Sequence, residues 1–393
     1  MKAVILGAGR IGRGFVTELL VKNQVSVTFF DASDDMVAAL SRQGEYTIHV
    51  LGHEDLNTKI TDVAIYSIQD TKQLAEKWAE ADYIFTAVGG KNMPAIGANL
   101  AEAFTQIVAA GKIRTSNIVT CENWVDPALQ LKEALLSNLT PENQKLFLEY
   151  TGVSESVVMA TGTGAPDSSQ LMNPMDTWVQ NMWSLPVDKD RIKGELPDWE
   201  CITFVDAFGD LLKQKLYTNN TSVALIAYLG SLKGLTYVAE SANDPEVEPI
   251  LIECYKEINE ALVKGMGINE ESQLKFSATA KAKYQDREII DVLTRIARDP
   301  IRKLAPTDRL VGPAQIALGA GVKPTAIALA IAAAIYYENP EDEMAVKLQE
   351  KRKSEGVAAI IRDICKLKED EPLTQMIYDS IANLKNRGWI KED

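Results

Sequence analysis

Histidine is almost missing from this chain: His49 and His53 are the only two in 393 residues. Any chemistry that needs an imidazole beyond residue 53 is therefore excluded. Cysteine is sparse too. Cys121, Cys201, Cys254 and Cys365 lie far apart, with no CxxC pair and no Cys/His cluster, so no metal site is expected. His49 and His53 fall on or after a strand-like stretch and read as surface residues rather than ligands. The longest apolar run, Ala326 to Tyr337, spans 12 residues. A membrane helix needs about 20, so this run reads as a buried helix and no membrane partner is expected. Basic residues are in deficit: 41 Lys and Arg against 55 Asp and Glu leave a net charge of −14. That argues against a nucleic-acid partner, which needs a basic face, but not against one small anion held by a few cations. The opening Met1-Lys2-Ala3-Val4-Ile5-Leu6 runs straight into a glycine-rich turn without a signal-peptide cleavage region, so a cytoplasmic location is expected.

What is present is an ordinary globular balance, 46% hydrophobic and 24% charged, long enough for two or three domains. The first 120 residues alternate strand and helix signals. Val4–Leu6, Val25–Phe30, Asp82–Val88 and Ser116–Thr120 read as strands, with helices at Thr71–Glu80 and Ala95–Ala110. This rhythm implies a parallel sheet covered on both faces, a Rossmann-type α/β domain. The stretch from Gly152 to Pro197 is turn-rich, and its Thr161–Pro166 loop is a candidate lid. From about residue 200 the periodicity is helical almost throughout, in Val205–Leu216, Ile250–Val263, Ala326–Tyr337 and Leu373–Leu384. The expected boundaries are 1–197 for the α/β domain and 198–393 for a mostly helical one, with a cleft between them. Met344 to Asp393 is charge-rich and reads as a solvated helical end.

Gly7-Ala8-Gly9-Arg10-Ile11-Gly12 matches G-x-G-x-x-G, follows a strand and opens a helix. Gly7 would permit the tight turn, Gly9 the close approach of a pyrophosphate, and Gly12 close helix–strand packing. The helix N-terminus supplies free N–H groups for phosphate, and Arg10 adds a cation beside them. Asp31 ends the second strand 19 residues after Gly12, where an acid accepts from the ribose hydroxyls and repels a 2′-phosphate. NAD is the expected cofactor; FAD would use the same turn.

A nicotinamide enzyme that oxidises an alcohol needs a base for the hydroxyl proton and donors for the developing oxyanion. The two histidines lie in the first βαβ region, no tyrosine carries a lysine four residues on, and zinc ligands are missing. A lysine base remains, and the best candidate lies in Lys215-Leu216-Tyr217-Thr218-Asn219-Asn220-Thr221-Ser222. This segment is similar to the K-x-x-x-x-N core of the polyol-specific long-chain dehydrogenases. The likeness runs on through Gly7–Phe15, Thr86-Ala87-Val88-Gly89, Cys121-Glu122-Asn123, Ala227-Tyr228-Leu229-Gly230, and Arg302-Lys303-Leu304 with Asp308-Arg309-Leu310.

The resemblance implies an NAD-dependent, metal-independent enzyme acting on a sugar phosphate and its polyol phosphate, with fructose 6-phosphate and mannitol 1-phosphate as the default pair. A hexuronate or non-phosphorylated polyol is the alternative, and an NAD-binding protein that has lost catalysis is the reading from another class. Lys215 matches the family's general base, and Asn220 and Asn123 the amides that hold the substrate oxygen. Val88 falls beside the cofactor. Arg302, Lys303 and Arg309 would bind a substrate phosphate or carboxylate, or else form a salt-bridge cluster with Asp299 and Asp308. Glu122 would steer a proton or pair with a lysine. Two departures stand out: Val223 occupies the place of a family His, and Val158-Met159-Ala160 the place of a family Asp-Arg.

Overall fold

The computed structural model describes residues 1–124, 126–160, 162–163 and 173–391, which fall into two compact units, Met1–Phe208 and Gly209–Asp393. In the first unit a run of β-branched and aromatic residues builds the central sheet. Its strands are β1 (Lys2–Leu6), β2 (Ser26–Asp31), β5 (Ala64–Ser67), β6 (Tyr83–Thr86), β7 (Ser116–Thr120) and β8 (Thr151–Glu155), in the order β5-β2-β1-β6-β7-β8, all parallel. Strands such as β6 and β7 are buried along their whole length, because helices cover both faces of a parallel sheet. The helix Thr71–Glu80 starts where Asp70 accepts the Gln73 N–H at 3.0 Å, and it turns Leu74, Ala75 and Trp78 inward. The chain runs outward from β1 through β2 to β5, then returns to β6 on the other side. That reversal leaves a crevice at the carboxyl ends of β1 and β6, where sheets of this kind bind ligands.

Two smaller sheets depart from the sequence expectation. β3 (Tyr46–Val50), β4 (Thr58–Ile60), β9 (Gly162–Thr163) and β10 (Thr177–Val179) form a mixed sheet in the order β4-β3-β10-β9. His49, on β3, stacks on Trp178 and approaches Asp176 at 3.1 Å, and no group of metal-ligand type forms among the described residues. β11 (Leu185–Asp188) pairs in parallel with β12 (Ile202–Val205). The segment after residue 200 thus opens as a strand, where helix was expected. Ile202-Thr203-Phe204-Val205 suits a pleated surface, and Ala207, at φ 51°, turns the chain before the helix Phe208–Lys215 begins. Of the candidate lid, Gly162 and Thr163 lie in β9; Thr161 and 164–166 lie outside the described residues.

The second unit is helical. At its centre runs Thr325–Ile335, buried at every position from Ala326 to Ile335. Six alanines and a broad apolar surface let Thr221–Leu232, Glu248–Met266 and Pro372–Asn386 pack around it. The N-terminus of this helix has no side-chain cap of its own; the buried Glu257 accepts the Ala326 and Ile327 N–H groups at 2.7 and 3.1 Å instead. The charged C-terminal stretch is not a solvated end. Leu348, Ile360, Ile361, Ile377 and Leu384 are buried in the same core, each contributing roughly 2 kcal/mol, while most of their charged neighbours, the buried Arg352 apart, face outward. Among the described residues no helix is long and apolar enough to cross a membrane.

Candidate functional site

In the first unit the glycine turn is held by sterics. Gly7 has φ 97°, and a Cβ there would lie 2.5 Å from the Ala87 carbonyl oxygen; a Cβ on Gly12 would overlap the carbonyl oxygen of Gly7. Gly9 is different. Nothing among the described residues lies within 4 Å of where its Cβ would be, so its backbone stays open to a ligand. The helix that follows starts as a π-helical turn, Ile11–Val16, before Thr17–Lys22 continues as α-helix. Side chains satisfy the carbonyls of that widened turn: Thr17 Oγ1 donates to Gly12 at 2.7 Å and the buried Tyr46 hydroxyl to Arg13 at 2.8 Å. Arg10 is exposed beside the turn and Ile11 half-buried.

Asp31, at the end of β2, accepts the Ala8 N–H at 2.6 Å and the Ser33 N–H at 2.9 Å. Its carboxylate is thereby anchored next to the glycine turn, the position an adenosine ribose occupies in a dinucleotide fold. The open approach at Gly9, the free helix N-terminus and this anchored acid fit a dinucleotide.

Glu122, at the end of β7, forms a hydrogen-bonded clasp, with no lysine paired to it among the described residues. Its carboxylate accepts the Thr86 hydroxyl at 2.6 Å and the Val88 N–H at 3.0 Å, which ties the loop after β6 to the end of β7. Burial raises its pKa from the ordinary carboxylate value, against the pull of these hydrogen bonds. The clasp sets Val88 against the glycine turn and leaves Asn123 exposed at the carboxyl end of β7. Gly7, Val88 and Asn123 thus gather at the crevice end of the sheet.

In the second unit Lys215 closes the helix Phe208–Lys215, and a second π-helical turn, Leu216–Asn220, follows before Thr221–Leu232. This local geometry explains the five-residue spacing. In an α-helix five residues rotate by about 140° beyond a full turn, which puts the two side chains on different faces. A turn closed by i→i+5 bonds brings residues five apart over one another, so Lys215 and Asn220 project from one side. Burial, then the like charges of Lys283 and Arg309, draw the Lys215 ammonium down from 10.5 to about 8. Lys283 is itself lowered to about 8, by burial first and by Arg295 against the opposing pull of Asp291. Spacing gave no sign of Lys283, which comes from the separate helix Glu270–Gln285.

The Arg302 segment is a mutual ion-pair cluster. Arg302 is exposed and reaches Asp299 at 3.1 Å and Asp308 at 3.2 Å, while Arg309 lies 2.7 Å from Asp308. Lys303 is buried, with its Nζ donating to the Arg298 carbonyl, and burial lowers it to about 7. Three cations against two carboxylates leave at most one net positive charge there. Val223 is 7% exposed and belongs to the helical core.

Comparison with known proteins agrees with both units. The mannitol dehydrogenase Rossmann domain matches residues 1–201 and the mannitol dehydrogenase C-terminal domain residues 207–385. The chain is 32% identical over 381 residues to the mannitol-1-phosphate 5-dehydrogenase of Bacillus pumilus, covering 96% of this chain and 98% of that one. It is also 32% identical over 383 residues to the enzyme of the same name from Bacillus subtilis, covering 97% and 100%. Among solved structures, a ternary complex of Pseudomonas fluorescens mannitol 2-dehydrogenase with NAD and D-mannitol superposes with a TM-score of 0.71 at 16% identity, covering 99% of this chain and 92% of that one. A substrate-free D-sorbitol dehydrogenase gives 0.78 at 14% identity, covering 98% and 93%. These two share the fold. By its two domain matches and its full-length relatives, the chain is a member of the mannitol dehydrogenase family.

Proposed function

We propose that this protein is an NAD-dependent oxidoreductase that interconverts a ketose phosphate and a polyol phosphate, with Lys215 as general acid/base. NAD, when bound, takes up the hydride released from the alcohol carbon. The chain's own residues do the rest. The neutral Lys215 amine takes the hydroxyl proton as the hydride leaves, and returns it to the carbonyl oxygen in reduction. The Asn220 and Asn123 amides donate to that oxygen as its negative charge develops. Gly7, Gly9, Arg10, Ile11 and Gly12 receive the pyrophosphate, with Val88 at the adjoining loop and Asp31 on the ribose.

The observation that carries this reading is Lys215 itself, an amine drawn to about 8 and set one π-turn from an amide. We assign the substrate phosphate to the segment of Arg302, Lys303 and Arg309. Arg302 is its exposed member, and the buried Lys303 braces the segment through the Arg298 carbonyl. Four free cysteines and an acidic chain suit a reducing cytoplasm.

The test is NADH consumption across fructose 6-phosphate, fructose and hexuronates, with a Lys215→Met control. Turnover of fructose 6-phosphate that is lost in the control supports the reading. Turnover of a hexuronate or free ketose alone overturns the phosphate assignment. NADH binding with no turnover of any substrate favours a binding protein. Val223 at the family His position bears on substrate range, and a Val223→His variant that gains rate on fructose 6-phosphate identifies this position as its determinant.

A further inference from the structure

A π-helical turn inside a helix is held by weaker backbone geometry than the α-helix on either side, so its persistence needs an external cause. Three acceptors within Leu216–Asn220 have one: the Thr218 and Asn219 carbonyls and the Thr218 hydroxyl. Thr218 O accepts the Ser222 hydroxyl at 2.8 Å, and the Thr221 hydroxyl just beyond the turn donates to Arg309 O at 2.6 Å. Asn219 O accepts the Ser222 hydroxyl and the Tyr284 hydroxyl, each at 3.1 Å. Thr218 Oγ1 accepts from Gln273 Nε2 at 3.0 Å; the same amide reaches Asn259 Oδ1 at 2.9 Å, and its Oε1 accepts from Gln214 Nε2 at 2.9 Å.

Gln273, Thr218 and Ser222 are fully buried, and Gln214 and Tyr284 nearly so. Polar groups sunk this deeply are costly unless paired, and an apolar core would serve stability as well. Their partners converge on one feature: the turn between Lys215 and Asn220. If the turn relaxed to α-helix, the two side chains would swing about 140° apart.

We propose that Gln273 and Tyr284 are positioning residues for the reaction, bracing the π-helical turn so that the Lys215 amine and the Asn220 amide meet the same substrate oxygen. This rests on the acid/base reading of Lys215.

The test uses the full chain carrying Gln273→Leu or Tyr284→Phe, each close in volume to the native residue, with fructose 6-phosphate and NADH. In each variant kcat falls by roughly tenfold or more while the NADH dissociation constant, read by tryptophan fluorescence, stays within about twofold. The pH limb assigned to Lys215 also moves by roughly half a unit or more, because the amine leaves its surroundings. A kcat within about threefold of wild type with an unmoved limb overturns the proposal, as does a kcat loss in which the limb stays put and only Tm falls. A Lys215→Met control separates the two readings. If it is inactive while Tyr284→Phe and Gln273→Leu behave as wild type, the brace alone fails; if it is active, the acid/base reading fails and the brace with it.

Discussion

The charge of Lys283 sets part of the working range of Lys215, and removing it has a calculable consequence. With Lys215 at about 8, roughly one amine in ten is neutral at pH 7; at the ordinary 10.5 the fraction is about one in three thousand. The surroundings therefore supply about 300-fold more base at neutral pH. Burial is the larger cause and Lys283 the next, so Lys283→Met removes only the second. The limb for polyol phosphate oxidation then lies above about 8 and below 10.5, and each unit of rise lowers the neutral fraction at pH 7 about tenfold. Ketose phosphate reduction, which needs the ammonium, shows the opposite sign. It declines in the wild type as pH rises through about 8 and holds to higher pH in the variant. The assay is kcat against pH in both directions, at saturating NAD or NADH. A wild-type limb near 10.5, or a Lys283→Met limb that stays or moves down, would refute the reasoning.

Other consequences follow from single contacts. Asp31→Ala removes the acceptor of the Ala8 N–H and the repulsion of a 2′-phosphate; the ratio of kcat/KM for NAD over NADP falls by about tenfold. Gly12→Ala drives a methyl into the Gly7 carbonyl, so NADH titration shows binding weakened by roughly tenfold or more. Glu257 gives a stability signature. Burial raises it from 4.5 to about 7, so the folded chain holds this proton more tightly than the unfolded one. Its contribution is fully present below 4.5 and is lost as pH rises to about 7, a span of about 3 kcal/mol. Urea unfolding near pH 5 and pH 8 detects most of it, and Glu257→Gln abolishes that slope.

Local pattern sufficed for four strands of the parallel sheet, β1, β2, β6 and β7, because they are largely apolar runs and the helices between them repeat at helical period. β5 and the polar β8, Thr151-Gly152-Val153-Ser154-Glu155, carried no such signal. Thr71–Glu80 and Ser116–Thr120 match the sequence reading residue for residue. The glycine turn was legible because its requirement is met within a few residues of backbone, and Asp31 because adjacent parallel strands bring the end of β2 beside that turn at a regular spacing. The small mixed sheet was not, since β3 finds β10 more than a hundred residues away. The C-terminal end misled through its composition, because charged residues on one face hid the buried Leu348, Ile377 and Leu384 on the other.

For the proposed site, the sequence by itself determined which groups are available: scarce histidine pointed to a lysine base, and Lys215 with Asn220 stood out through resemblance to a K-x-x-x-x-N core. Only the tertiary structure decided how those groups are tuned. The π-turn that aligns the pair, the lysine from another helix that depresses Lys215, and the carboxylates that claim Arg302 and Arg309 all depend on distance in space. Charge and hydrogen bonding act over ångströms whatever the separation along the chain, and that separation is all a sequence records.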